Sequence, residues 1–202
     1  MAVEYDLLTV VETFEDAANR HAIDEIMAMF SDDAEFELVG LARLVGKKEI
    51  RAIFEYDAGV KGEIQLINCT AKAATVSCRL VERNDRLRAA GLDKLLYPSC
   101  VLSFTNKLIR SWRAVPDPEP ARTLDLFWGA VRLWIAEHYQ VDYARIFTPE
   151  GRFIRNRDNG ERAVQLAREY RSRGYESRVL NSELGYPIHK SGFDVKKKGV
   201  VS

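Results

Sequence analysis

The residues in this sequence that could do chemistry are few, and the most suggestive group is Arg83-Asn84-Asp85, which follows a strand-like segment. A carboxylate beside an arginine can accept or donate a proton while the guanidinium orients it. One interpretation is a polar anchor at the mouth of a pocket, with Asp85 as an acid or a base. The other is a surface ion pair at a strand end, worth about 0–1 kcal/mol.

The other reactive residue types favour structural roles. The three histidines are scattered without an HxH or HExxH pairing, so no metal site is predicted. No phosphate-binding loop or dinucleotide fingerprint is present, and no cofactor is expected. The acidic pair Asp32-Asp33 has the position of a turn signal after a helix. The cysteines are interpreted as reduced core residues, because they lie in apolar strand-like segments without CxxC spacing: Cys69, Cys78 and Cys100.

Length and composition suit one globular domain with an appendage, or two very small domains. The chain has 202 residues, and 47% of them are hydrophobic, which is enough for a sizeable core. No apolar run approaches the roughly 20 residues that a membrane helix needs. The acidic, helix-patterned start lacks the layout of a signal peptide. These features predict a soluble cytoplasmic protein with no membrane partner.

Charge is balanced overall but unevenly spread. Residues 1–50 hold 12 acids against 4 bases, and residues 151–202 hold 12 bases against 6 acids. Such asymmetry can indicate a nucleic-acid-binding arm or complementary faces within a fold or dimer. The basic residues are diluted by acids and fall at helical intervals, which favours a solvated helix face. Nucleic acid is therefore not expected as a partner.

Apolar periodicity predicts three helices and one strand in the first quarter of the chain. Apolar residues recur every three to four positions in three segments, which is the helical spacing. Between the second and third segments they alternate, as in a half-buried strand. The predicted helices span about residues 5–20, 23–30 and 47–56, and the strand spans 34–38.

Two hairpins are predicted next. Each consists of two β-rich segments separated by a short turn. A short helix or covering loop is expected between them, over about residues 87–96. The paired segments are 63–70 with 75–83 and 98–104 with 108–115.

The rest of the chain predicts helices. Pro116, Pro118 and Pro120 end the sheet, because proline cannot donate to a ladder. A helix over 122–139 carries a broad apolar stripe that has to be buried, and we expect it to pack over the preceding domain as a lid or to form a dimer contact. Shorter helices are predicted near 142–147 and 160–173. The predicted organisation is a domain over 1–118, a helical extension over 119–175 and an extended or poorly ordered tail over 176–202.

The order of these elements is distinctive, and short segments add to it. These are Asn19-Arg20-His21-Ala22-Ile23, Met29-Phe30-Ser31-Asp32-Asp33-Ala34 before the first strand, and Gly46-Lys47-Lys48-Glu49-Ile50 at the start of the third helix. Over residues 5 to about 116 the chain resembles the nuclear transport factor 2-like superfamily and, within it, the SnoaL-like proteins. It departs from the pattern at Ala22, where the family usually has Asp.

The resemblance implies an α+β cone, in which a strongly curved mixed or antiparallel sheet wraps helices around a cavity. Family members include isomerases, cyclases, dehydratases, epoxide hydrolases and binding modules, and many are homodimers through the outer face of the sheet. Fold alone therefore does not decide the function.

Matching the residues to known chemistries of the family narrows the choice. Steroid isomerase-like chemistry needs a carboxylate base and two acidic donors, but the matching positions are Leu38, Phe14 and Cys100. For epoxide hydrolysis, Arg83 and Asp85 match the family's Arg-x-Asp spacing. The second Asp is replaced by Ala114, and the positions that help hold the water are Phe36 and Leu38, so the family's usual mechanism is broken.

The resemblance also predicts an apolar pocket that binds a small apolar molecule. The alternative is that the same residues simply fill a closed cone. The predicted lining residues are Phe14, Leu38, Phe54, Cys100, Leu102 and Trp112.

Two functional hypotheses follow. The first is a SnoaL-like small-molecule protein, which could be a cofactor-independent cyclase, isomerase or hydrolase with Asp85 and Arg83 as its polar groups. The second is a non-catalytic ligand-binding or protein-assembly module. The first requires a cavity with a polar group, and the second an apolar or filled one.

Overall fold

The computed structural model describes residues 2–174, with side chains from Leu7 onward. The tail predicted over 176–202 lies outside the described residues. The described elements alternate between helices that cover a sheet and strands that build it. In chain order they are α1 (Ala2–Asn19), α2 (Ile23–Ala28), β1 (Phe30–Leu38), β2 (Ala42–Val45), α3 (Lys47–Gly59), β3 (Glu63–Lys72), β4 (Thr75–Arg83), α4 (Asp85–Ala89), β5 (Leu95–Thr105), β6 (Leu108–Val115), α5 (Pro118–His138), α6 (Gln140–Ile146) and α7 (Arg157–Ser172).

The strands form one mixed six-stranded sheet in the order β2-β1-β6-β5-β4-β3. β1 runs parallel to β6, and the other neighbouring strands are antiparallel. Four of the five pairings contain a register shift, a feature that bends a strand and increases its twist. The predicted α+β class with its curved sheet, two hairpins and C-terminal helices is confirmed.

The inner face of the sheet is packed solid next to α1 and α3. Phe14 from α1 meets Phe54 from α3 edge-on, with 5.8 Å between ring centroids, and lies 5.1 Å from Trp112 of β6. Phe36 of β1 stacks on Trp112 at 5.6 Å. Aromatic pairs at these separations add to the stability that burial provides. This end of the cone is therefore filled by side chains.

The C-terminal helices pack against the rest of the protein through a close backbone approach. Gly59, the last residue of α3, lies so near α7 that a Cβ there would overlap the carbonyl of Arg157. Gly160 of α7 sits against Tyr56, where a Cβ would come within 3.0 Å of the backbone oxygen. The apolar stripe of α5 is buried in the same core, including Phe127, which is 7% exposed.

Two details of the sequence interpretation were wrong. The short strand β2 was not predicted, because four residues after a turn are too few to show a periodicity. Asp32 and Asp33 do not form a turn but lie within β1, where its pairing with β6 shifts register. They form ion pairs with Lys47 at 3.0 Å and Arg110 at 2.8 Å, respectively.

Candidate active site

A cavity of about 380 Å³ opens where the sheet, α3 and the C-terminal extension meet. Its walls are apolar and aromatic, and several charged groups converge in it, which is the usual composition of a ligand site. The residues that line it are Leu38, Gly40, Leu41, Ala42, Ile53, Tyr56, Asp57, Glu82, Arg86, Tyr97, Asp125, Trp128, Gly129, Arg132, Phe147, Gly151, Phe153 and Arg155.

A larger groove of about 770 Å³ lies near the start of α7 and is lined by Asp24, Arg51, Arg145 and Arg157 among others. It is more open to solvent than the cavity. One of its arginines is already neutralised, because Arg51 pairs with Asp24 at 2.7 Å. The smaller cavity is therefore the better candidate for chemistry.

Two carboxyl groups face the cavity from different elements. Asp57 is on α3, one turn beyond Ile53 and Phe54, so the helical repeat turns it toward the interior. Glu82 is on β4, on the same side of the strand as the buried Cys78 and Leu80. Both residues also line a second, smaller void of about 20 Å³. The two carboxyl groups are thus neighbours at the inner end of the site.

The environment of Asp57 favours its neutral form. Burial, followed by the negative charge of Glu82, raises the pKa of Asp57 well above its ordinary value, although Arg86 and Arg155 act in the opposite direction. Within residues 7–174 its carboxyl group makes no hydrogen bond or ion pair. Asp57 is therefore suited to hold a proton that it can donate.

The carboxylate of Glu82, unlike that of Asp57, accepts two hydrogen bonds. The Tyr97 hydroxyl donates to Oε2 at 2.7 Å, and the Asn84 amide donates to Oε1 at 2.5 Å. Asn84 is held in turn because its Oδ1 caps α4 at the Leu87 amide. Burial and the charge of Glu82 raise the pKa of Tyr97 well above its usual value, which keeps its proton on the hydroxyl. Both carboxylate oxygens of Glu82 are therefore held in place by hydrogen bonds.

Two arginines line the same cavity. Arg86 is the second residue of α4, and its guanidinium carbon lies 5.6 Å from the centroid of the Trp128 ring. Arg155 comes from the segment before α7, and burial lowers its pKa. Neither guanidinium has a hydrogen bond or ion pair with another residue that the structure describes.

The C-terminal extension supplies much of the wall. Asp125, Trp128 and Arg132 project from α5, and the segment after α6 adds Phe153 and Arg155. Phe153 packs edge-on against Tyr56 at 5.2 Å. Burial raises the pKa of Tyr56 to about 12, so this phenol stays protonated.

The Arg83 and Asp85 predicted as the polar pair lie outside this cavity. Asp85 begins α4, where Arg88 donates to its Oδ1 at 2.7 Å and Arg168 of α7 lies 3.0 Å from Oδ2. The two residues make no ion pair with each other. Their catalytic role stays a prediction, while the contacts of Asp85 connect α4 to α7.

The predicted lining residues divide into two groups. Leu38 lines the cavity, and Phe54 borders only the small void. The remaining four are buried in the core, outside both spaces, and their ligand-binding role stays a prediction: Phe14, Cys100, Leu102 and Trp112.

Sequence reasoning missed Asp57 and Glu82, although both carry a signal. Asp57 continues the buried stripe of Ile50, Ile53 and Phe54, and a carboxylate on the apolar face of a helix is unusual. Glu82 falls in phase with the inward residues of its strand. Arg155 carries no such signal, because no periodic element surrounds it. Among the described residues, no group of three or more His, Cys, Asp or Glu side chains is placed to hold a metal ion.

The fold is that of the nuclear transport factor 2-like superfamily. Residues 6–118, more than half of the chain, match the family model described as limonene-1,2-epoxide hydrolase catalytic domain. The chain therefore belongs to that family. A comparison with curated proteins found no significant match.

Solved structures show the same fold. An LEH-like epoxide hydrolase from M. tuberculosis is 20% identical, with 66% of this chain and 98% of that chain covered at a TM-score of 0.50. A protein of unknown function with a cystatin-like fold from Methylobium petroleophilum PM1 is 16% identical, with 57% and 79% covered at a TM-score of 0.50. None of the helices that the structure describes has the length and apolar character needed to cross a membrane.

Proposed function

We propose that this protein is a cofactor-independent acid–base enzyme that acts on a small, largely apolar molecule with an oxygen function. One observation carries the proposal: one cavity is faced by Asp57, which has a raised pKa and no hydrogen-bond partner among the described residues, and by Glu82, which accepts two hydrogen bonds. Pairs of titratable groups whose surroundings differ in this way are how enzymes obtain an acid and a base at the same pH. Asp57 is the acid, and Glu82 is the base.

Hydration of an epoxide is the reaction that we assign first, because the family is defined by an epoxide hydrolase domain. Glu82 removes a proton from a water molecule, and the water oxygen forms a bond to one epoxide carbon. The bond from that carbon to the epoxide oxygen breaks, and Asp57 protonates the departing oxygen to complete a diol. Glu82 then releases its proton and Asp57 regains one through solvent.

The position that carries the second aspartate in the family is Ala114, which is fully buried. In this proposal Glu82 and Asp57 replace the family pair from neighbouring elements. Arg86 and Arg155 lie close enough to influence the charge of Asp57. They take the orienting role that the family's arginine has.

The test is to incubate the protein with a panel of aliphatic, cyclic and aryl epoxides in oxygen-18 water and to detect labelled diol. We expect Asp57→Asn and Glu82→Gln each to lower turnover by about 10²–10⁴-fold, as loss of a general acid or base does. Asp93→Asn, at an exposed position outside the cavity, is the matched control. Full activity in both cavity variants would contradict the assignment.

The second candidate is a non-catalytic ligand-binding module, favoured by the filled aromatic end of the cone around Phe14 and Trp112. It predicts that a ligand binds in the cavity without turnover.

We also propose a homodimer, which light scattering after gel filtration would detect as twice the mass of 23.0 kDa.

A further inference from the structure

The orienting role proposed for Arg86 and Arg155 does not by itself explain why neither guanidinium has an ion-pair partner among the described residues. Both are half-buried, both line the cavity, and neither guanidinium is paired with a carboxylate within the described residues. Several other arginines among the described residues are paired even at exposed positions, as Arg20 is with Asp16 at 2.9 Å. A partly buried cation without a partner is costly, and an anion from outside would offset that cost.

The charged residues that line the cavity leave one positive charge without a compensating negative charge. The acidic groups that line it are Asp57, Glu82 and Asp125, and the basic groups are Arg86, Arg132 and Arg155. Asp125 and Arg132 are exposed on α5, so water screens them. Of the charged groups that remain, Asp57 favours its neutral form, so the two cations Arg86 and Arg155 face the single carboxylate of Glu82.

The walls restrict what carries the anion. Leu38, Ile53, Phe147 and Phe153 give the cavity an apolar side, and its volume of about 380 Å³ is within the range of small-molecule sites. A simple inorganic anion would leave these walls in contact with water. A ligand with an apolar skeleton would cover them.

We propose that the cavity binds an organic acid, in which Arg86 and Arg155 receive one carboxylate and the apolar walls receive the skeleton. A guanidinium matches a carboxylate through paired, charge-assisted hydrogen bonds. This inference deepens the proposed function, on which it rests, by naming the class of substrate. The reactive oxygen function would then face Asp57 and Glu82, while the acid group fixes the orientation of the molecule.

Arg155 gives the inference a feature specific to this chain. It lies beyond residues 6–118, the part that matches the family model. The same extension places Trp128 against Arg86. The acid-binding half of the site is therefore shared: the family domain supplies Arg86, and the extension supplies Arg155 and Trp128.

The experiment measures binding rather than turnover, so that it separates this inference from the proposed reaction. Titration calorimetry of the full chain compares 2-naphthoate, cyclohexanecarboxylate and 4-phenylbutyrate with their neutral amides and with inorganic phosphate. We expect at least one acid to bind about ten-fold or more tightly than its amide, the preference expected from a charged hydrogen bond. Asp57→Asn should retain this preference even if it abolishes turnover.

Substitutions then locate the preference. Arg155→Met and Arg86→Met should each remove most of it, and Arg155→Lys, which keeps the charge, should keep part of it. Arg152→Met is the matched control, because Arg152 is exposed on the same segment and does not line the cavity. Thermal melts identify any variant that fails to fold. If a methionine variant does not fold, the acid-over-amide preference of Arg155→Lys is used in its place.

Three results would overturn the inference: no acid binds better than its amide, the preference survives both methionine variants, or phosphate alone binds as tightly as the acids. The third result would mean a plain anion site. In each case labelled diol could still form from neutral epoxides, and the proposed reaction would stand. Absence of turnover with intact acid binding would instead remove the reaction and leave an acid-binding module.

Discussion

At the scale of single residues, this protein contains aspartates with opposite electrostatic surroundings. Asp57 is half-buried without a hydrogen-bond partner among the described residues, and its pKa is raised. For Asp85, burial alone would raise the pKa, but the hydrogen bond from Arg88 and the charges of Arg168, Arg88 and Lys61 outweigh it and lower the pKa. The same type of side chain therefore favours the protonated form at Asp57 in the cavity and the charged form at Asp85 in α4.

The first prediction concerns the effect of Asp57 on stability. Because its pKa is higher in the folded state than in the unfolded chain, the folded state binds more protons over the interval between the two values. Its stabilising effect is complete below the ordinary aspartate pKa and disappears as pH rises through the folded value. In urea unfolding, the free energy of unfolding of Asp57→Asn should equal that of the wild type at acid pH. As pH increases, the variant should become progressively more stable than the wild type. A constant difference at every pH would contradict the raised pKa.

The second prediction concerns Asp85 and has the opposite sign. Since its folded pKa is lowered, its contribution is present above the ordinary aspartate pKa and is lost as pH falls through the folded value. Asp85→Asn should cost about 1–3 kcal/mol of unfolding free energy near neutral pH, the usual cost of losing hydrogen bonds to a charged group. That deficit should shrink on acidification. Asp93→Asn, at an exposed position, is the control in the same urea series.

At the scale of elements, the contact between α3 and α7 determines the position of the site. α3 carries Asp57, and the chain leading into α7 carries Arg155. Gly59 and Gly160 allow the two helices to approach closely, since a Cβ at either position would press on the backbone of the partner. A small displacement here moves a carboxyl group and a guanidinium relative to each other.

The third prediction is that Gly59→Ala destabilises the fold by about 1–3 kcal/mol, as overpacking does, and weakens any cavity ligand as well. The added methyl group would overlap the carbonyl of Arg157. Gly129→Ala is the matched control for stability alone, because no atom lies within 4 Å of its added Cβ on α5 and Gly129 itself lines the cavity. This change should leave stability equal or raise it by about 1 kcal/mol through helix propensity. Equal melting temperatures for the two variants would show that the α3–α7 contact is looser than described.

At the scale of the whole molecule, the sequence predicts the fold better than the site. The strands of both hairpins carry alternating apolar residues, and α5 carries a continuous stripe, so local pattern determines them. Phe14 and Trp112 are predicted to line a pocket. Periodicity indicates which way a side chain faces, but it does not show whether a cavity remains beside it. In the structure the two rings fill the space between them. Arg155 is brought into the same cavity as Asp57 only by the packing of α7 on α3, which no local pattern encodes.

The last prediction is that the extension is required for the family domain to fold as it does here. α3 and α4 both pack against α7, and the apolar face of α5 with Phe127 and Val131 is buried in the shared core. Ending the chain at residue 117 would expose the surfaces that these helices cover and remove Trp128 and Arg155 from the cavity. We expect the shortened chain to aggregate or to bind a hydrophobic dye and melt without cooperativity, while the full chain gives one cooperative transition. A soluble shortened chain with an unchanged melting temperature and oligomeric state would show that the extension is an independent appendage.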